Sequence, residues 1–160
     1  MTPEQLLAQL GLAMNLPGLA FDANGCARLM VDGRIAVNFE VDEGAGGMQI
    51  YSTLAPLPAQ EQGPMLLMLL EGNLFGAQTL GATLAVDTLY NEIVLCRAIA
   101  VQGMSAPDFT AIVERFVTAV QEWTQKLSAG VPAPAATATG ADTLKPEAIE
   151  PRVQAHFLRV

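Results

Sequence analysis

The sequence predicts an α+β domain in which helices pack a twisted antiparallel sheet, in the order α-β-β-β-α-β-β-α. Three observations carry this. Short runs rich in apolar residues, several of them alternating in polarity, are separated by turn dipeptides, the pattern of strands joined by hairpins. Three other segments either repeat apolar residues at three- and four-residue steps or are apolar all round, as helices do. Most strand-to-strand connections are too short for the crossover that parallel pairing needs, which makes the sheet antiparallel.

The first helix starts at Thr2, a capping residue, with Pro3 suited to the first turn and Gln5 completing a T-x-x-Q box. Leu6, Leu7, Leu10, Ala13 and Met14 form its apolar face, and Asn15 to Gly18, with Pro17, ends it. Leu19 to Phe21 reads as a short strand before an Asn24-Gly25 turn. Cys26 to Val31 and Ile35 to Val41 then flank Asp32-Gly33, a pair that tolerates the positive φ angles of a tight hairpin turn. In the second of these strands Ile35, Val37, Phe39 and Val41 alternate with Ala36, Asn38 and Glu40, so one face is covered and the other is wet. After the glycine-rich stretch 43–47, Met48 to Leu54 is a third strand, closed by Pro56 and Pro58.

Gly63-Pro64 opens a helix from Met65 to about Phe75 that is apolar almost all round. One sheet shields one face of a helix, so the remaining face implies a second subunit. A further hairpin follows, Thr83 to Leu89 and Glu92 to Val101 around Tyr90-Asn91. Ser105 and Asp108 then start a clean amphipathic helix through Leu127, with Phe109, Ile112, Val113, Phe116, Val117, Val120 and Trp123 on its inner face.

The domain is expected to span residues 1–127. From Ser128 to Asp142 the chain is nearly all Ala, Pro, Thr and Gly, a composition that buries too little to offset ordering entropy, so 128–160 is expected to be a disordered tail. Charge divides at the same point. The net charge is −8, and the acids and bases after Leu127 cancel, so all of it belongs to the domain. An acidic surface repels nucleic-acid backbones and anionic lipid and favours neutral or basic polypeptides as partners.

Chemistry is hard to find in this sequence. The single histidine, His156, stands in the tail, which leaves no base in the domain to activate Ser52, Ser105, Cys26 or Cys96 and no cluster of metal ligands. Glu40, Asp42 and Glu43 follow no calcium-loop ladder and read as a solvated rim, and the 44–47 stretch lacks the G-K-[ST] ending of a phosphate loop. No cofactor, no metal and no enzymatic activity are expected. The cysteines read as buried free thiols of a reducing compartment, with a disulfide between them as the alternative. No apolar run approaches a membrane span, and Glu4 stands where a signal peptide carries positive charge, which places the expectation in the cytoplasm.

Against this background the succession LLAQLGLAMNLPGLAFDANGCARLMVDG, MQIYSTLAPLP, LLEGNLFGAQTLGATLAVDTLYNEIVLCRAI and FVTAVQEWTQKL, over about residues 4–127, resembles the class I type III secretion chaperones of the Tir-chaperone family. The most specific stretch is Leu69-Leu70-Glu71-Gly72-Asn73-Leu74-Phe75, with Thr79, Gly81-Ala82 and the Leu84-to-Asp87 strand after it. The resemblance implies a cytoplasmic bacterial homodimer that binds the N-terminal segment of a secreted effector without catalysis. It implies effector-groove positions at Leu7, Leu10, Met14, Phe21, Leu29, Val31, Met48 and Ile50, and dimer contacts at Met65, Met68, Leu69, Phe75 and Val86. Each of these positions also fits the core of a single chain. A binding domain of the same fold acting outside secretion is the alternative.

Overall fold

The structure is a computed structural model that describes residues 1–130 apart from Glu43, Ala45 and Glu61. The expectation of a disordered tail therefore falls, from residue 131 onward, outside the described residues.

Helix α1 (Pro3–Ala13) carries the full capping box: Gln5 N–H donates to Thr2 Oγ1 at 3.3 Å, and Thr2 N–H donates to Gln5 Oε1 at 2.9 Å. The expected strand at Leu19 to Phe21 does not form. The chain instead folds back on the end of α1, with Leu16 N–H bonded to the Gly11 carbonyl at 2.7 Å, and Leu19 and Phe21 pack loosely on the core. Asp22 then accepts hydrogen bonds from Asn24 N–H and Cys26 N–H through Oδ1, which turns the chain into the sheet.

Strands β1 (Cys26–Val31), β2 (Ile35–Asp42) and β3 (Gly47–Pro56) form the predicted meander. Asp32 and Gly33 both have positive φ, +51° and +65°, as a two-residue hairpin turn requires. Helix α2 (Gln62–Gly72) crosses from β3 to a second hairpin, β4 (Thr83–Asp87) and β5 (Glu92–Ala100), and α3 (Ala106–Ser128) follows. The sheet is antiparallel throughout, in the order β1-β2-β3-β5-β4. Because β5 and not β4 pairs with β3, β4 becomes one edge of the sheet and β1 the other.

One face of the sheet is buried. Leu29, Val37, Phe39, Met48, Ile50, Leu84, Ile93, Leu95 and Ile99 meet Phe109, Val113, Phe116, Val120 and Trp123 of α3, with Leu6, Leu7 and Leu10 of α1 joining them. Phe39 and Phe109 pack with tilted rings 6.3 Å apart. Pairing register sets the opposite face, where Cys26, Arg28, Asn38, Glu40, Tyr51, Val94 and Cys96 point away from the helices. There Arg28 Nε donates to Asn38 Oδ1 at 2.8 Å and Asn38 Nδ2 donates to the Tyr51 carbonyl. Both cysteines are free and partly exposed on this outer face, which corrects the expectation of buried thiols.

Helix α2 ends sooner than its apolar run suggests. Gly72 is its last residue, and Asn73 leads into a short 3-10 turn, Leu74–Gly76, in which Phe75 adopts a left-handed conformation (φ +55°). Asn73 stops the helix by reaching across to β4. Its Oδ1 accepts from Leu84 N–H at 2.8 Å and its Nδ2 donates to the Leu84 carbonyl at 3.0 Å.

Candidate functional site

Among the described residues two apolar surfaces stand out as uncovered. The first lies on α2. Met65, Leu69 and Gly72, at steps of four and three, turn inward, and Met65 and Leu69 are buried against the chain's own core. Leu66, Leu67 and Leu70 therefore face outward, and Leu74 and Phe75 extend the row, Phe75 being 95% exposed. A monomer rarely leaves so many large apolar side chains side by side in water.

The loop that ends this row is held firmly. Trp123 Nε1 donates to the Gln78 carbonyl at 2.9 Å, Lys126 Nζ donates to Gln78 Oε1 at 3.2 Å, and Arg97 Nη1 donates to the Leu80 carbonyl at 3.1 Å. Thr79, itself buried, donates to the Ala82 carbonyl. These four anchors between residues 78 and 82 hold the loop around Leu80, whose backbone is left-handed, as it is at the exposed Phe75.

The second surface is a groove of about 190 Å³ between α1, α3 and the β1 edge. Leu10 and Met14 form one wall, Leu29 and Val31 the floor, and Thr110, Val113, Glu114 and Val117 the other wall. The lining is almost wholly apolar, and Glu114 supplies a carboxylate at the rim. Strand β1 beside it is hydrogen-bonded to β2 alone among the described strands, so its other edge offers free backbone groups.

The residues singled out from sequence distribute unevenly over these surfaces. Leu10, Met14, Leu29 and Val31 come together in the groove, although Leu10 and Leu29 offer it little area. Leu7, Met48 and Ile50 are sealed in the core, at most 1% exposed, and have no surface for a partner. Phe21 is half-buried near the β1 side of the core. Of the proposed subunit contacts, Phe75 is open to solvent, Met68 and Val86 are half-buried, and Met65 and Leu69 face inward. Sequence reasoning missed Leu66, Leu67 and Leu70 on α2, Leu74 in the turn after it, and Val113 and Val117 on α3 as surface-lining residues. The helical steps of α2 carry the signal, once one inward residue is known.

The outer sheet face forms a broad concavity around Tyr51, Tyr90 and Val94, with Glu40, Asp87 and Glu92 on its rim. Burial, then Glu40 and Cys26, pushes the Tyr51 phenol up from its ordinary pKa. Burial does the same to both thiols, with Glu40 and Asp22 adding to the effect at Cys26. Among the described residues no group of three or more His, Cys, Asp or Glu is placed to hold a metal ion, and no helix is long and apolar enough to cross a membrane.

A meander closed by a second hairpin, one helical layer and two uncovered apolar surfaces define a small protein-binding domain. The chain belongs to the Tir chaperone protein (CesT) family, whose model matches residues 5–124. No curated protein sequence matches it. Among solved structures it is similar to a chain of the HopA1-SchA chaperone-effector complex, with 20% identity, a TM-score of 0.59, and coverage of 76% of this chain and 89% of that one. It is similar to a chain of the ExsC-ExsE complex at 17% identity and a TM-score of 0.65, covering 84% and 100% respectively. It also resembles YbjN of E. coli, for which a role in transcription regulation has been put forward, at 13% identity, a TM-score of 0.55, and coverage of 78% and 90%. At these identities the likeness is one of fold.

Proposed function

We propose that this chain is a type III secretion chaperone that, as a cytoplasmic homodimer, binds the N-terminal segment of a cognate effector and keeps it soluble and competent for export. The observation that carries the reading is the pair of apolar surfaces on a domain of the Tir chaperone family. The α2 row serves the second subunit, because burying its leucines and Phe75 would contribute roughly 25 cal/mol per Å² of apolar area removed from water. The groove serves the effector. It accepts apolar side chains of an extended segment while the β1 edge is free to bond its backbone. Nothing in such binding calls for a reacting group, and the reading is accordingly non-enzymatic.

The test is affinity purification from secretion-competent cells, with mass spectrometry of the partners. The expected result is a secreted polypeptide held in a complex of two chaperone chains to one effector. Equal binding of that polypeptide after removal of its first ~100 residues, a rough allowance for one wrapped segment, would overturn the mechanism.

The fold likeness to YbjN favours a second reading, a binding domain that acts outside secretion. Recovery of partners that are never secreted decides for it.

A further inference from the structure

The groove and the sequence after α3 fit each other. The groove is apolar with a carboxylate at its rim, Glu114, on a domain that carries all of the chain's −8 charge. Residues 151–160, Pro-Arg-Val-Gln-Ala-His-Phe-Leu-Arg-Val, have the opposite character: Arg152 and Arg159, no acidic side chain, and Val153, Phe157, Leu158 and Val160. Between Leu127 and Pro151 no comparable apolar and basic combination occurs; that stretch is dominated by Ala, Pro and Thr.

The spacing permits contact. Residues 131–152 can reach at most about 73 Å at ~3.3 Å per residue. From the end of α3 back to Val117 is only about 17 Å along the helix at 1.5 Å per residue. A tether of this kind presents its far end to the groove at an effective concentration on the order of millimolar.

We propose that residues 153–160 occupy the α1–α3–β1 groove of their own chain as an internal stand-in for a client, with Phe157 or Leu158 in the apolar pocket and Arg159 against Glu114. The inference rests on the reading of that groove as a client site, and it adds a competitor that the client must displace. An internal segment with an intrinsic dissociation constant near ~100 μM would weaken client binding about tenfold at millimolar effective concentration. It would also shield an apolar pocket and a strand edge from non-specific association while no client is present.

Hydrogen–deuterium exchange on the whole chain tests this without any client. The unaltered protein is compared with the full-length double variant F157D/L158D, in which both apolar side chains are lost. The expected result is faster exchange in the variant at residues 10–14 and 26–31, with the β3–β5 core unchanged. Charge exchange supplies the second measurement: Glu114→Arg should release the same amides, and adding Arg159→Glu should restore their protection. Identical exchange in the unaltered and F157D/L158D chains would overturn the proposal, as would release that Arg159→Glu fails to reverse. Because neither measurement contains an effector, failure to recover a secreted partner would count against the proposed function and leave this result standing.

Discussion

Gly72, the last residue of α2, lies directly against the six-membered ring of Trp123 on α3, so closely that a methyl group at position 72 would overlap the ring. Trp123 is buried and its Nε1 is bonded to the Gln78 carbonyl at 2.9 Å, so a shift of the ring would disturb that bond and the core around it. The glycine thus sets how near α2 comes to α3, and with it the direction in which the outer leucines of α2 point.

Gly72→Ala should therefore destabilise the domain even though alanine favours helix. Overpacking of this kind costs about 1–3 kcal/mol, which outweighs the gain of up to ~1 kcal/mol from helix propensity. Chemical denaturation measures the difference, and an alanine variant as stable as the parent would contradict the packing.

Asn73→Leu tests the other half of the helix stop. The substitution removes both bonds to Leu84 and leaves a backbone N–H and carbonyl of β4 without their partner, at about 1–3 kcal/mol for a buried unsatisfied group. Asn73→Asp keeps the acceptor for Leu84 N–H but brings a carboxylate to the Leu84 carbonyl, so it should also destabilise. The two melting temperatures, both below the parent's, provide the check.

Leu67→Glu with Leu70→Glu should convert the proposed dimer into a folded monomer. Both side chains point to solvent in the single chain, at 58% and 68% exposure, so the change touches no internal packing. Light scattering reports the mass and circular dichroism the fold. The contrasting variant Leu69→Glu places a charge in the core and should unfold the domain instead.

Val117→Asp should weaken client binding at least tenfold while leaving the melting temperature close to the parent's, since Val117 is half-buried on the groove wall. Titration calorimetry with the client's N-terminal segment measures it. Unchanged affinity would remove the groove from the binding surface.

The thiols give a pH prediction. Burial raises the pKa of Cys26 and Cys96 above the ordinary thiol value, with Glu40 and Asp22 adding to the effect at Cys26, so each holds less thiolate at neutral pH than a free cysteine. Alkylation should be slower than for a model thiol at pH 7 and approach it only as pH rises past the ordinary range. No internal disulfide should form under oxidation: β2 and β3 lie between the two strands, a separation of about 14 Å at ~4.8 Å per strand, well beyond disulfide reach. Mass spectrometry of the alkylated protein follows both.

Much of the fold was legible because its signals are local. The Thr2–Gln5 box, the Asp32-Gly33 turn, the alternation from Ile35 to Val41 and the inner stripe of α3 each fix an element from side chains a few residues apart. The same locality explains the misses. Leu19 to Phe21 has the composition of a strand, yet no neighbouring strand is there to pair with it. The apolar run of α2 continues to Phe75, yet the helix stops at Gly72, because Asn73 finds its partner in Leu84, eleven residues on.

By itself the sequence determined most of the elements, the antiparallel sheet, the acidic charge of residues 1–127 and the membership suggested by the Leu69-to-Phe75 signature. The tertiary structure decided which apolar residues are core and which are surface. A helix that is apolar all round carries no mark of its inward side; Trp123 against Gly72 turns Leu69 in and leaves Leu66, Leu67 and Leu70 out. The order β1-β2-β3-β5-β4 likewise came from packing, since pairing β5 with β3 buries Ile93, Leu95 and Ile99 under α3 and leaves β1 and β4 as the open edges. Long-range contact selects among arrangements that local pattern leaves equivalent.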